Sequence, residues 1–368
     1  MRKILNRRAL NRALLARQYL SARADISVPR ALTRLIALQA QAAPAPYFAL
    51  WTRLKAFTPT DLSARLKDFG VARGTLMRGT LHVAAAADFA AIRPLIQRGF
   101  DRFLTEGSVH GRALAGLEPA EVAAVARDLL RQGPLTAMQL REALAARWPD
   151  RDPQALAMAA RIHLPMLQLP PRGLWGQGGQ PTLAAMADRL GTPAPGLTLA
   201  DLVLRYLAAF GPARVADAQI WLGLSRLAST FQTLRSSLVV FHDDDGQELF
   251  DVPEADRPSG ETEVPVRFLG EFDNVLLAHE DRTRIMSAEH KRRLYTANGV
   301  LRAAVLVDGF TAGRWRIEDG KAESVLRIEL FATVAKSVMG ALTDEGERLL
   351  AFAARHAVRD IRIEVVED

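Results

Sequence analysis

Cysteine is absent from this 368-residue chain. Disulfides, thiolate metal centres and cysteine nucleophiles are therefore excluded. Lysine is scarce: Lys3, Lys55, Lys67, Lys291, Lys321 and Lys336 are the only six, which leaves arginine as 42 of the 48 basic residues. No apolar run approaches the ~18 residues a membrane-spanning helix requires, so no membrane partner is expected. A nucleotide-cradling loop is also missing. Gly176-x-Gly178-Gly179 has no strand before it, no helix after it and no Lys-Ser/Thr. His279 and His290 lack metal-ligand spacing, so neither a metal nor a cofactor is expected.

What is present is ordinary for a globular chain: 49% hydrophobic and 24% charged residues. The length allows about two to four compact units. The net charge is +7 and arginine carries it. Guanidinium groups suit phosphate contacts, which makes a polyanion the expected partner. At the N-terminus Arg2, Lys3, Arg7, Arg8, Arg12, Arg17 and Arg23 precede the first acid, Asp25. Organelle transit segments have this texture. Here, however, Leu5, Leu10, Leu14, Leu15 and Leu20 continue in helical register, which predicts a helix over 6–22 that opens the first domain.

Short helices, Gly-Pro breaks and brief strand-like runs then alternate. Ser27 is placed to cap a second helix, with Pro29 in its first turn and Val28, Leu32, Leu35 and Ile36 on one stripe. A short helix is predicted at 61–67 and a strand at 76–84. Helix, turn, helix and strand over this length match a winged helix-turn-helix unit. A phrase in which a helix ends at Gly-Pro recurs at Gly133-Pro134 and Gly211-Pro212, each followed by a new helix. The glycine is expected to supply positive φ and the proline to stop the helix. The recurrence suggests a duplicated unit. Residues 172–179 fit the wing of one copy, and 239–242 followed by Asp243-Asp244-Asp245-Gly246 fit a hairpin of the other. Beyond 260 the pattern becomes strands at 303–307, 312–317 and 325–331, a helix at 344–355 and a strand at 358–366. A small α+β cap is predicted there.

Four places hold groups that can do chemistry. Gln39-Ala40-Gln41 precedes Pro44 and Pro46, so the helix should end by about residue 42. In an extended chain, period two puts both carboxamides on one face, where they can hold a water or line a site of developing positive charge. On a helix they would point apart, and a solvated helix end is the plainer reading. The alternating strand Arg78-Gly79-Thr80-Leu81-His82-Val83 turns Arg78, Thr80 and His82 one way, either as a structural wing or as a polar strip facing the glutamines. Asp273 and Asn274 follow Glu271-Phe272, with Asp273 a general base or a turn former. Basic residues Arg282, Arg284, Lys291, Arg292 and Arg293, together with Arg314-Trp315-Arg316, are candidates for tracking phosphates or pressing a groove. Trp315 reads equally well as core.

Taken in order, these runs resemble the AlkZ/YcaQ-type DNA glycosylases. The matching segments are Leu35-Ile36-Ala37-Leu38-Gln39-Ala40-Gln41 with its Pro-rich exit, Arg78-Gly79-Thr80-Leu81-His82, Arg172-Gly173-Leu174-Trp175-Gly176, Glu271-Phe272-Asp273-Asn274 with Asp281-Arg282, and Val307-Asp308-Gly309 with Gly313-Arg314-Trp315-Arg316. They span nearly the whole chain. The resemblance implies a helix-rich α+β fold of three tandem winged helix-turn-helix units in a C-shape, with the small cap after them. The corresponding divisions are 1–110, 111–195, 196–260 and 261–368. It further implies a monofunctional glycosylase for N-alkylated purines in duplex DNA, including bulky adducts and interstrand crosslinks at guanine N7. The family's glutamine–apolar–glutamine motif falls on Gln39, Ala40 and Gln41, and these glutamines are its catalytic pair. Gln41, where a sister branch has aspartate, is similar to the branch that protects antibiotic producers from their own alkylators.

Arg78, Thr80, His82, Asp273 and Asn274 are expected to line the cleft. Arg282, Arg284, Lys291, Arg292, Arg293, Arg314, Trp315 and Arg316 are expected to contact DNA. A monomer in a bacterial cytoplasm, associated with the nucleoid, is the accompanying expectation. The competing reading is a winged-helix transcription regulator without catalysis, because fold alone does not assign function.

Overall fold

A computed structural model describes residues 3–191 and 196–366. Arg2 and the expected division at residue 195 lie outside them. The described chain runs three times through one order of elements: a helix, a short strand, two helices and a hairpin. The first pass is Val28–Leu35, Leu38–Gln39, Ala45–Trp51, Pro59–Lys67, then Val71–Thr75 with Leu81–Ala85. The second is Pro119–Arg131, Leu135–Thr136, Ala137–Arg147, Pro153–His163, then Met166–Leu169 with Thr182–Ala185. The third is Leu199–Phe210, Val215–Leu222, Ala228–Leu234, then Val239–His242 with Glu248–Asp251. Its short strand shrinks to a bridge between Ala213 and Phe250. In every pass the short segment pairs with the outer strand of its own hairpin, as Leu38↔Val83, Leu135↔Leu183 and Ala213↔Phe250.

The two Gly-Pro phrases mark the second and third short segments. The first pass has no such phrase, so the sequence pattern finds two copies where the element order shows three. Gly211 does not supply positive φ; its φ is −68°. It is glycine because a Cβ would stand 2.6 Å from the Leu207 carbonyl oxygen and 2.9 Å from an Asp251 carboxylate oxygen.

The first two hairpins fuse into one sheet of six strands through the pairing Gly74↔Leu167. Gly74 makes that possible, since a Cβ there would meet the Met166 carbonyl at 2.6 Å. The third hairpin stays separate. The C-terminal cap is a five-stranded sheet in the order Val358–Val365, Glu323–Leu330, Phe310–Asp319, Ala304–Val307, Arg267–Leu269. Its last pairing is parallel, and the crossover helix Lys336–Ala353 makes the connection. The second pass has its own core of Leu114, Val122, Leu140, Leu156 and neighbours. A larger core joins the others, from Leu14 and Ile36 through Tyr206 to Leu276 and Leu306.

Two expectations change here. The N-terminal helix, Arg7–Arg17, packs against Leu199–Phe210 of the third pass rather than opening the first. Arg17 seals that contact, donating to both Asp251 oxygens at 2.7 and 2.8 Å with neither side chain exposed. The strand expected at 76–84 is two strands separated by the tight turn Met77–Gly79. Many arginines also go inward: Arg12, Arg17, Arg53, Arg73 and Arg93 are all buried. Part of the arginine excess is therefore internal strutting. Among the described residues no helix is long and apolar enough to cross a membrane.

Candidate active site

The helix Val28–Leu35 stops at Ile36, whose φ is +69°. A β-branched residue in that region is strained, yet the break is held because Leu35 and Ile36 are fully buried. The helix therefore ends well before the prolines, and Leu38–Gln39 is a short strand that leads through Ala40 into a bend at Gln41. Ala40 fixes the segment from both sides. Its N–H donates to Leu81 O at 2.7 Å, and its carbonyl accepts from Arg73 at 3.0 Å. Gln39 and Gln41 thus share a cleft of about 600 Å³ with Arg78, Thr80, Glu271 and Tyr295. Gln39 is 6% exposed; Gln41 lies at the mouth.

Arg78 is at the centre of this arrangement. It sits in the tight turn with φ 60° and ψ 10°, a left-handed conformation that costs a non-glycine residue roughly 1–2 kcal/mol. Its Nη2 donates to Gln39 Oε1 at 2.8 Å, and its Nη1 to the Trp221 carbonyl at 2.6 Å. Gly223 lets the third pass come this close, since a Cβ there would be 2.8 Å from Arg78 N. Burial, helped by Arg282, pushes the guanidinium down to about 10, so it remains charged at neutral pH. Gln41 Oε1 accepts from the Leu81 N–H at 2.9 Å. Both partners can only donate, so each amide oxygen is fixed toward its donor with one lone pair left over, and the Nε2 group is the remaining donor. Thr80 lines the cleft and its hydroxyl donates back to Met77 O at 3.1 Å.

Three expected cleft residues lie elsewhere. His82 is 1% exposed; its Nδ1 donates to Thr80 O across 3.0 Å, and burial lowers its pKa to about 3, so the ring is neutral. Asp273 is locked in a buried pair with Arg53 at 2.7 and 2.8 Å. Asn274 is buried and donates to Ala37 O at 2.6 Å. The last two are struts, Asn274 holding the chain just before the glutamine segment and Asp273 holding Arg53 at the end of the next helix, and neither lines the cleft.

The expected DNA contacts divide in the same way. Arg284 is buried and donates to Pro212 O at 2.7 Å. Trp315 is core, with Nε1 donating to Leu269 O at 2.9 Å. Arg314 and Arg316 are both neutralised by Glu329, and Arg316 also by Glu318. Arg282 is half-buried and donates to the Tyr295 hydroxyl at 2.6 Å. Arg293 is half-buried and donates to Phe331 O and Val366 O. Lys291 and Arg292 are exposed on the helix Ala288–Leu294.

Sequence reasoning passed over two features. Glu271, two residues before the Asp273 that reads as a base or a turn former, is the acid that reaches the cleft. Arg98, Arg102 and Arg226 join Arg78 around a second hollow of about 710 Å³. Arg98 and Arg102 stand four apart on the continuous helical turns 97–104, while Arg78 and Arg226 come from other units, so the primary pattern shows one pair but not the group.

The comparisons with known proteins accord with this geometry. The family model for DNA glycosylase AlkZ-like matches residues 32–352. A relative, the interstrand DNA cross-link repair glycosylase of Streptomyces sahachiroi, is 24% identical over 324 residues, covering 82% of this chain and 85% of that protein. The solved structure of Streptomyces sahachiroi DNA glycosylase AlkZ is similar with a TM-score of 0.81 at 20% identity, covering 98% of this chain and 100% of that one. At that identity the structural likeness establishes the fold, while the family model, which spans most of the chain, establishes membership: the chain belongs to the AlkZ-like DNA glycosylases.

Proposed function

We propose that this enzyme hydrolyses the N-glycosidic bond of cationic N7-alkylated purines in duplex DNA, interstrand crosslinks among them, with Gln39 and Gln41 as the catalytic pair. The observation that carries the reading is the emergence of both carboxamides from one segment into one cleft beside Arg78. Alkylation at N7 gives guanine a positive charge, so the base departs without protonation. What remains is to place a water near C1′ and stabilise an oxocarbenium-like sugar. Each amide oxygen accepts one protein hydrogen bond and keeps a second lone pair for that purpose, while the Nε2 groups orient water or sugar oxygens.

The three passes of helix, strand, helices and hairpin are read as tandem winged helix-turn-helix units, divided near 110, 195 and 260, that curve around the duplex. Phosphates are assigned to Arg98, Arg102 and Arg226 in addition to Lys291 and Arg292. A regulator reading is not favoured by the family match.

The test is incubation with a 7-methylguanine duplex, followed by alkaline cleavage at abasic sites. Wild type should release 7-methylguanine and leave uracil in place, because uracil departs poorly as a neutral base. Gln39→Ala and Gln41→Ala should lose product while retaining DNA affinity, and Gln41→Asp should remain active. Uracil release at a rate comparable to 7-methylguanine, or full activity of the double alanine variant, would overturn the proposal.

A further inference from the structure

We propose that Glu271 is a further catalytic residue: its carboxylate takes the proton from the water that attacks C1′. This inference rests on the glycosylase reading of the same cleft.

The first observation is position. Glu271 lines the cleft of the two glutamines and also an adjoining cavity of about 390 Å³, so it stands in their common wall. The second is the absence of a structural task. Glu271 is half-buried and makes no hydrogen bond or ion pair with any described residue. This holds although Arg302, Arg314 and Arg316 line the adjoining cavity. The last two turn to Glu329 instead.

The third observation is how firmly its turn is held. Phe272 adopts a φ of 55°, a strained conformation for a bulky residue. Asp273 is bolted to Arg53, and Asn274 to the Ala37 carbonyl two residues before Gln39. On the other side, Gly270 approaches the chain that follows Gln41, where a Cβ would be 3.1 Å from Ala45 O. Backbone strain that is fixed from both ends is the form in which a functional group is commonly presented.

The fourth observation is electrostatic. The Gln39 and Gln41 oxygens already accept from Arg78 and Leu81, so the cleft needs a stronger acceptor for the second hydrogen of a bound water. Burial raises the Glu271 carboxyl above the usual carboxylate range, which makes its anion a better base.

The step balances without a further reactant. A water oxygen bonds to C1′ as the C1′–N9 bond breaks, and its electron pair returns to the ring, so the cationic 7-alkylguanine leaves neutral. The water proton moves to the Glu271 carboxylate and then to solvent. An abasic site with a C1′ hydroxyl remains.

The experiment is single-turnover release of 7-methylguanine from duplex DNA between pH 5 and 8 by wild type, Glu271→Gln, Glu271→Asp and Gln39→Ala. Affinity for a duplex with a tetrahydrofuran abasic analogue is measured in parallel. Glu271→Gln is isosteric and has no contact to lose, so folding should be unaffected. It is expected to lower the rate at least about 100-fold, the usual scale for removing a general base, with DNA affinity unchanged or tighter. Wild type is expected to slow at acid pH as the carboxylate is protonated, Glu271→Gln should lack that fall, and Glu271→Asp should retain part of the rate. Arginines Arg78, Arg302, Arg314 and Arg316 and the phenol of Tyr295 face the two cavities, with no histidine among their lining residues. Because Glu271→Gln removes only this carboxyl, disappearance of the acid limb in that variant assigns the limb to Glu271.

A rate for Glu271→Gln within threefold of wild type, with Gln39→Ala inactive, would overturn this proposal and leave the glutamine reading intact. A matching loss of DNA affinity would overturn it too. If wild type released no 7-methylguanine, the underlying function would fall and this assignment with it.

Discussion

Arg78 and Gln39 meet at 2.8 Å, guanidinium nitrogen to amide oxygen, while the same guanidinium grips the Trp221 carbonyl from the third pass. One side chain thus ties the orientation of the Gln39 amide to the seating of a distant unit. Removing it should release both. Arg78→Ala is expected to cost about 2 kcal/mol of transition-state stabilisation, roughly 30-fold in single-turnover rate, since hydrogen bonds to charged groups contribute about 1.5–3 kcal/mol. Arg78→Gly should lose the same activity yet melt higher than Arg78→Ala, because glycine accepts the left-handed backbone without strain. An Arg78→Ala enzyme of unaltered rate would remove Arg78 from the site.

Asp273 is predicted to matter for stability and not for chemistry. Asp273→Asn leaves the buried Arg53 guanidinium without its countercharge. Breaking such a pair costs about 3–5 kcal/mol. Urea unfolding should show that loss, and the rate per folded molecule at low temperature should fall far less than in Glu271→Gln, because Asn274 still anchors the Glu271 turn to Ala37. The reverse pattern, normal stability and no turnover, would return Asp273 to the list of bases.

Salt should discriminate between the two sets of arginines. Each phosphate contact contributes about 0.9 to the slope of log affinity against log salt. Arg98→Ala, Arg102→Ala and Arg226→Ala should each flatten the slope by about that amount in fluorescence titrations with undamaged duplex. Arg284→Ala should not, since its charge is buried against Pro212. Arg316→Ala should have a smaller effect because its guanidinium is held by Glu329 and Glu318, which it shares with Arg314 and Arg327.

Two neutral histidines set an acid limit on stability. Burial lowers both His82 and His279 to about 3, whereas an unfolded histidine titrates near 6.5. Between those values the unfolded chain binds more protons, so stability rises with pH. It is complete above about 6.5 and declines as pH falls toward 3, by up to about 1.4 kcal/mol per pH unit for each ring. Urea midpoints at pH 5.0 and 7.5 should differ accordingly. His279→Gln should reduce the difference, and equal midpoints in the wild type would contradict the burial argument.

Local patterning determined much of this protein. The stripe Val28, Leu32, Leu35, Ile36 is buried as its period demands, and the hairpin announced by Asp243-Asp244-Asp245-Gly246 joins Val239–His242 to Glu248–Asp251. Strand alternation in the C-terminal region predicted Ala304–Val307, Phe310–Asp319 and Glu323–Leu330 to within a few residues. Those features depend on neighbours in the chain, so the chain alone carries them. The non-helical exit at Gln39 was within reach for the same reason, although the strand covers only Leu38–Gln39 and the agent that ends the helix is Ile36 and not the prolines.

Tertiary structure decided which polar groups are free. Asp273 and Glu271 are two residues apart and chemically alike, yet Arg53 claims one and nothing among the described residues claims the other. Arg314 and Arg98 are both arginines, but Glu329 stands beside the first while the second opens on a basic hollow. Whether a charge is spent internally or left for a ligand depends on partners that lie 220 residues away for Asp273 and across a strand pair for Arg314, and only the folded chain brings them into contact.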